Sequence, residues 1–406
     1  MPLPALIPLG DLVSVRGGGT PDTKIDSYWR GDIPWVSPKD MKSDDVGSSQ
    51  DNVTPEALAN SAASLIPQGS ILVVVRSGIL ARTVPVARTT RPLAINQDIK
   101  ALVPSGRLDT RYLHYFLKAS ESLLLERVSK GATVHRLSTD DLRKLLIPLT
   151  SLAEQKRIVA DLDEAFRGID AIIAVVEAQL EQDRELRLAT LTDSLPRLGS
   201  VVTLAEQVEM LVGFAFKSSD YVNDPNSVRL LRGDNVIPGA IRWADAKALS
   251  KDVASEFGRY QLAVDDVVVA MDRPWIKAGL KQARLTEKDV PSLLVQRVAR
   301  LRCRPSLKVG YLQHLIASPL FERHVLDHAA GSGVPHISGG QLGAFSFTLP
   351  AIEDQAAIVD RLDALQVSYS ALARIRLQKL AALAELKQSL LARAFTGKLT
   401  SEPLAA

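Results

Sequence analysis

The chain has 406 residues, 46% of them hydrophobic and 23% charged, with 49 Lys and Arg against 46 Asp and Glu for a formal net charge of +3. At about 100–200 residues per domain, two to four domains are expected, and the apolar content excludes whole-chain disorder. The near-neutral balance excludes a histone-like polycation while leaving room for local basic surfaces. Cys303 is the single cysteine, which excludes an intramolecular disulfide and a thiolate zinc cluster. Arg300, Arg302 and Arg304 flank it, yet a buried, inert thiol in a strand is the favoured reading. The opening MPLPALIPLG lacks the basic-then-apolar order of a secretory leader, and no apolar run approaches about 18 residues. A cytoplasmic protein with no membrane association is expected.

Residues 1–150 alternate Gly-, Pro-, Asp- and Asn-rich turns with short β-branched runs. Among these, 70–75 (SILVVV) predicts a buried strand and 112–118 a short helix. Residues 151–195 then hold no proline and one glycine, Gly168. Proline costs about 3 kcal/mol inside a helix, so such a window is where a long helix can form. Ser151 opens Ser-Leu-Ala-Glu, the spacing of a capping box. Val159, Leu162, Phe166, Ile169, Ile173, Val176 and Leu180 alternate spacings of three and four, a heptad seam. The phase breaks at Asp183 and Arg187 and resumes shifted at Leu188, Leu191 and Leu195. Residues 198–350 return to turns and short runs: 265–270 and 298–301 predict buried strands, 311–317 a short helix. Residues 351–395 hold neither proline nor glycine. There Leu362, Leu365, Tyr369 and Leu372 keep the seam spacing, as do Leu383, Leu386 and Leu390, and Gly397 predicts the helix stop.

The two halves match at a shift near 200 residues. Tyr112, Leu113 and Tyr115 stand against Tyr311, Leu312 and His314; Gln97 stands against Gln296. Gly131, Val134, Leu137, Ser138 and Leu142 stand against Gly331, Val334, Ile337, Ser338 and Leu342. The helices match best, Gln155, Ile158, Val159, Leu162 and Asp163 against Gln355, Ile358, Val359, Leu362 and Asp363. The expected fold is α+β: two similar globular α/β-type domains separated by two long antiparallel helices, a coiled-coil spacer, with pseudo-two-fold internal duplication. The expected boundaries are 1–150, 151–197, 198–350 and 351–406. Both globular segments carry 18 basic and 15 acidic residues, whereas 151–197 carries 6 basic and 10 acidic. A rigid helical ruler between two alike heads suits a bipartite target, and DNA half-sites recur at about 34–36 Å per helical turn.

The motifs sharpen this. The first head has Gly18-Gly19-Thr20-Pro21, then Tyr28-Trp29-Arg30-Gly31-Asp32-Ile33-Pro34-Trp35-Val36 and Lys39-Asp40-Met41. The second has Gly213, Phe216-Lys217-Ser218, Tyr221 and Leu230-Leu231-Arg232-Gly233-Asp234-Asn235-Val236. The helices open with Pro148, Glu154-Gln155 and Ile158-Val159, and with Pro350, Glu353, Gln355 and Ile358-Val359; the chain closes on Ala394-Phe395-Thr396-Gly397-Lys398-Leu399. In order and duplication this resembles, over essentially the whole chain, the specificity subunit of type I restriction–modification systems. The resemblance implies two target-recognition domains at 1–150 and 198–350, each reading one half of a split asymmetric sequence in double-stranded DNA. It implies helical conserved regions that dock two modification (methyltransferase) subunits, with restriction subunits adding translocation and cleavage. S-adenosylmethionine, ATP and Mg²⁺ would sit on those partners, and this chain would hold no cofactor and perform no catalysis.

The residues themselves offer little catalytic chemistry. No Asn- or Asp-Pro-Pro-Tyr, no Gly-rich dinucleotide signature and no Walker loop is present. Asp22 with Asp40 and Lys42 loosely mimics a Mg²⁺ nuclease site, which makes a stand-alone endonuclease the competing reading. A coiled-coil scaffold without a DNA role is a third. His324 and His328 have metal-like spacing, but Val325 replaces the glutamate of HExxH. Base edges are read by Arg, Lys, Asn and Gln on loops held by a rigid core. The candidates are Lys39, Arg76, Gln97, Thr133, His135 and Arg136 in the first head. In the second they are Arg232, Arg273, Trp275, Lys277, Gln296, Arg297 and His336, with Lys217 and Lys281 as phosphate contacts. The polar break at Asp183, Arg184 and Arg187 marks either a register change or a partner contact, and the sequence leaves both open.

Overall fold

The structure, a computed structural model, describes residues 5–131, 133–196, 199–329 and 335–395. The matched Gly331 and Val334 and the closing 396–399, with the Gly397 stop, lie outside these residues. The chain is mixed helix and sheet, with long helices at Leu152–Ser194 and Ile352–Phe395. It divides into two compact units, Met1–Val176 with Gln378–Ala406, and Glu177–Leu377. Each unit therefore holds one head, the first part of the long helix that follows it, and a part of the other long helix. This cuts through both helices, because each buries one end of its length with one head.

In the first unit the strand Ile71–Val74 lies at the centre of a five-stranded sheet ordered Val13–Gly17, Ile99–Pro104, Ile71–Val74, Val86–Thr89 and Asp45–Val46. All four of its residues are fully buried, which is why the run is apolar without alternation. A second sheet orders Asp51–Val53, Ile33–Val36, Leu93–Ile95 and Leu65–Ile66, with Ile33–Val36 and Leu93–Ile95 parallel. The helix Thr110–Ala119 is capped by the Asp109 side chain and buries Tyr112, Leu113, Phe116 and Leu117. Ala5–Pro8 pairs antiparallel with Leu146–Leu149, so the head starts and ends side by side where the long helix begins.

The second unit repeats this order. Ser200–Thr203 pairs with Ser346–Leu349, Val208–Val212 with Val298–Cys303, and Val298–Cys303 with Val267–Ala270, which pairs with Gln282–Arg284. Val228–Leu231 runs parallel to Ser292–Leu294, as Ile33–Val36 does to Leu93–Ile95. Helix Val309–Ile316 buries Tyr311, Leu312 and Ile316. Burial pushes the Tyr112 and Tyr311 hydroxyls up to about 12, and each donates to a backbone carbonyl, of Pro148 at 2.6 Å and Thr348 at 3.3 Å.

One side chain ties each head to its helix. Gln155 is fully buried; its Oε1 accepts from the Asp109 N–H at 2.8 Å, and its Nε2 donates to the carbonyls of Arg107 at 3.0 Å and Thr150 at 2.9 Å. Gln355 makes the same set: Oε1 accepts from the Lys308 N–H at 2.8 Å, and Nε2 donates to Ser306 at 2.9 Å and Pro350 at 3.0 Å. Ser151 Oγ accepts from the Glu154 N–H at 3.2 Å, but the Glu154 carboxylate turns to Arg157, so the capping box is left half made.

Within each unit the helices run antiparallel. In the first, Lys387 pairs with Asp170, and Val159, Leu162, Ile169, Leu383 and Leu390 are buried in the head's core with Phe166 and Ile173 packed against it. Val176 is buried too. In the second, Leu362 is buried, Leu180, Leu365 and Tyr369 are half-buried, and Thr190 and Tyr369 hydroxyls meet at 3.4 Å. Two seam assignments are corrected: Leu372 and Leu386 are 43% and 46% exposed. A helix turns about 100° per residue, so moving the seam one residue on replaces them by Ala373 and Lys387. The seam accepts polar groups because each finds a partner on the facing helix. Arg376 Nη2 donates to Asp183 Oδ1 at 3.1 Å, and Arg187 Nη1 donates to Gln366 Oε1 at 3.4 Å. The helix continues unbroken through Asp183 and Arg187, and both are answered by the facing helix.

Asp183 and Arg376 are each only 20% exposed. Arg376→Leu is therefore expected to cost about 2–3 kcal/mol by leaving a largely buried carboxylate unpaired. Calorimetry on D183L/R376L should recover most of that loss, since two apolar partners replace the pair without an orphan charge. A double variant as unstable as the single one contradicts this account.

Candidate nucleic-acid interface

In the first head the central strand runs through Val75 into a short strand, Arg76–Ser77, paired antiparallel with His135–Arg136. Val75 N–H donates to the Asp98 carbonyl at 2.8 Å, and Leu137 N–H to the Val75 carbonyl at 2.9 Å. Arg76 Nε lies 3.8 Å from Asp98 Oδ1, and the Thr20 hydroxyl donates to Gln97 Oε1 at 2.7 Å. Gly18 is required where the 18–20 loop passes: a Cβ there would lie 2.0 Å from the Ile95 carbonyl oxygen. One edge of the head thus gathers Thr20, Arg76, Gln97, His135 and Arg136 from segments far apart in sequence. Gln97, Arg136 and nearby Thr133 are exposed, while His135 Nδ1 is buried without a partner. Lys39 is committed otherwise, donating to Asp51 at 2.8 Å, and that bond raises the ammonium pKa.

The second head builds the same edge with different side chains. Met271 N–H donates to the Arg297 carbonyl at 2.8 Å, and Ile337 N–H to the Met271 carbonyl at 3.0 Å. These two bonds put Met271 where the first head has Val75, Asp272 where it has Arg76, Arg297 where it has Asp98, and His336 where it has Arg136. The ion pair is kept with its polarity inverted: Arg297 Nη1 donates to both Asp272 oxygens at 2.8 and 3.0 Å, and His336 Nδ1 lies 2.5 Å from Oδ1. Burial pushes the Asp272 pKa up, but His336 and Arg297 outweigh it and hold the carboxyl below its usual range. Gly213 plays the part of Gly18, since a Cβ there would lie 2.2 Å from the Val295 carbonyl oxygen.

Around this pair Arg273 and Arg297 take positive φ, 41° and 66°, a conformation that costs non-glycine residues strain and fixes where their side chains leave the backbone. Arg273 is exposed and its N–H donates to the Pro335 carbonyl at 2.8 Å. Trp275 and Lys277 are exposed near a short hairpin, with Trp275 Nε1 donating to Glu322. Gln296 and Lys217 are exposed, and Arg232 lies 3.6 Å from Asp234. Lys281 is corrected: it is 8% exposed, and burial lowers its ammonium pKa, whereas a phosphate contact needs an open head group. The carboxylates Asp98 and Asp272 were not among the sequence candidates. No local motif marks them; only the pairing of distant segments sets them against the guanidinium groups.

The residues of the competing reading are used structurally. Asp40 Oδ2 accepts from the Ser37 N–H at 2.9 Å and hydroxyl at 2.8 Å, its Oδ1 from the Gln50 N–H at 3.1 Å, and Asp22 from the Lys24 N–H at 2.9 Å. His324 and His328 lie against backbone carbonyls of Gln341 and His324. Among the described residues no group of three or more His, Cys, Asp or Glu is placed to hold a metal ion. Burial pushes the Cys303 thiol up to about 11, an unreactive value. Among the described residues no helix is long and apolar enough to cross a membrane.

Each unit thus pairs a mixed helix-and-sheet head, which carries an edge of guanidinium, amide and imidazole groups, with parts of two long antiparallel helices. The family described as type I restriction modification DNA specificity domain matches residues 6–182. The Type I restriction enzyme EcoR124I/EcoR124II specificity subunit of Escherichia coli is 37% identical over 181 residues, 44% of this chain and 44% of that one. The Type I restriction enzyme MjaVIII specificity subunit of Methanocaldococcus jannaschii is 25% identical over 384 residues, 89% of this chain and 85% of that one. A solved structure described as the structural basis underlying complex assembly and conformational transition of the type I R-M system shares the fold. It aligns with a TM-score of 0.72 at 17% identity, covering 98% of this chain and 99% of its own. Residues 6–182 thus match that specificity-domain family, and over most of its length the chain is similar to type I restriction enzyme specificity subunits.

Proposed function

We propose that this chain is the DNA-reading subunit of a type I restriction–modification complex and performs no catalysis itself. Residues 1–150 and 198–350 are the recognition domains, each reading one half of a bipartite asymmetric target. Residues 151–197 and 351–406 space them and dock two modification subunits, with restriction subunits joining the assembly. S-adenosylmethionine, ATP and Mg²⁺ belong to those partners, and the complex works in the cytoplasm. The observation that carries this is the duplicated edge: the same backbone frame holds Arg76, Gln97 and Arg136 in one head and Asp272, Gln296, Arg297 and His336 in the other. One frame with unlike side chains is suited to reading two different half-sites. Arg and Gln make paired hydrogen bonds to purine edges in the major groove, and Lys217 is suited to a phosphate.

The docking role is supported by apolar side chains left open on the helices. In the first unit these include Ile172 and Val175, and in the second Leu186, Val367, Ile375 and Leu377, each more than two-fifths exposed. A contiguous partner surface would cover them. Co-expression with the cognate modification subunit, followed by methylation-sensitive sequencing of host DNA, tests the reading. A split methylated motif that disappears when this chain is deleted is expected; a motif that persists without the chain rejects it.

A further inference from the structure

Duplex DNA offers a protein few hydrogen-bond donors. Its phosphates and sugars only accept, and in the major groove the donors are the exocyclic amines of adenine and cytosine. A side chain that can only accept therefore has a narrow choice of partner on such a surface. His336 is placed to be one. It stands opposite Asp272 in an isolated antiparallel bridge, and its backbone is pinned on both sides: Arg273 N–H donates to the Pro335 carbonyl at 2.8 Å, and Ile337 N–H to the Met271 carbonyl at 3.0 Å. Its Nδ1 lies 2.5 Å from Asp272 Oδ1, and that carboxylate is fixed in turn by both bonds from Arg297. The ring is thus held at its backbone and at Nδ1, as a recognition group must be.

The chemistry of that contact sets the tautomer. Burial raises the Asp272 pKa, but His336 and Arg297 outweigh it, so the group is a carboxylate and can only accept. Nδ1 must then carry the proton, and in the neutral imidazole Nε2 is left as a bare acceptor. The His336 side chain is 41% exposed, and Nε2 bonds to no described residue. The first head shows the contrast. Arg136 occupies the same bridge position opposite Arg76, and a guanidinium has donors only. The inversion between the heads thus extends from the ion pair to the group beside it, a donor in one head and an acceptor in the other.

We propose that His336 Nε2 is a specificity-determining acceptor that reads the exocyclic amine of an adenine or cytosine in the second head's half-site, with Asp272 as the positioning residue that sets its tautomer. The proposal rests on the DNA-reading role above. It is tested at about pH 8, with the chain assembled on its modification subunit, by competition among duplexes altered one base pair at a time. At one position of that half-site, unsubstituted purine in place of adenine, or 2-pyrimidinone in place of cytosine, lacks the amine and should bind about tenfold more weakly, as one lost hydrogen bond requires. H336N keeps an N–H for Asp272 but has no group at the Nε2 position, so that discrimination should disappear. In D272N, Arg297 keeps the amide oxygen and the amide N–H faces Nδ1. Nε2 then carries the proton, and the preference should move to guanine or thymine. Discrimination is a ratio between duplexes, so partial unfolding of a variant, which weakens all of them alike, does not imitate these changes. H336N that discriminates at every position as the unaltered chain does, or D272N that keeps the amine preference, overturns the proposal and leaves the DNA-reading role standing. An unaltered complex indifferent to the whole second half-site overturns both.

Discussion

Gln155→Leu and Gln355→Leu are each expected to lower the melting transition of their own unit by about 6–12 °C. Each substitution strands one backbone N–H and two carbonyls in a fully buried position. At about 1–3 kcal/mol per orphaned group, with partial relief by entering water, a total near 3 kcal/mol follows. For units of this size about 2–4 °C is lost per kcal/mol. Differential scanning calorimetry reads this directly, and a fall of about 1 °C or less would mean that the glutamine is not the fastener between head and helix. The variant leucine is near the glutamine in volume, so a cavity does not account for the loss.

The second large effect concerns the inverted pair. Arg76→Ala and Arg297→Ala are each expected to weaken binding of the cognate duplex by the assembled complex about 10- to 100-fold, the worth of one bidentate guanidinium–purine contact. The loss should fall on one half-site for each variant: the half read by the first head for Arg76, the other half for Arg297. Lys217→Ala should instead weaken all duplexes alike and flatten the salt dependence by about one unit of slope. Competition binding with duplexes altered in one half-site separates these cases. If Arg76→Ala weakens every sequence equally, its guanidinium is a phosphate contact and the base-reading assignment is wrong. R76D/D98R offers a complement: it copies the second head's polarity on the first head's frame and keeps the ion pair, so the fold should hold while the preferred half-site changes.

Much of this molecule was legible in its sequence because the relevant physics is local or periodic. Windows free of proline, with one glycine between them, became the helices Leu152–Ser194 and Ile352–Phe395. The run SILVVV became a fully buried central strand, since an unbroken apolar run has no face to give to water. The matched pairs Gln155/Gln355 and Asp163/Asp363 occupy equivalent places, each aspartate accepting from or facing the side chain matched in sequence, Tyr115 at 2.5 Å and His314 at 2.7 Å. The seam failed at Leu372 and Leu386 for an equally definite reason. Apolarity alone ranked leucine above Ala373, Arg376 and Lys387, whereas the facing helix supplies Asp183 and Asp170 as partners for the cations. A charge enters a seam when its counter-charge is already there, and that information lies about 200 residues away.

The candidate interface divides along the same line. Residue chemistry alone nominated Arg76, Gln97, Arg136, Gln296, Arg297 and His336, because few side chains carry donors suited to base edges. It also nominated Lys281, whose burial depends on strands paired over it, and Lys39, whose charge is taken up by Asp51. Composition, periodicity and duplication by themselves determined two heads and two long helices, and the ordered motifs carried the resemblance to a family. Only the tertiary structure decided which polar groups share an edge, that Asp98 and Asp272 belong to it, and that its ion pair is inverted between the heads. Contacts of that kind are set by backbone hydrogen bonds between segments tens of residues apart, and nothing in either segment alone specifies its partner.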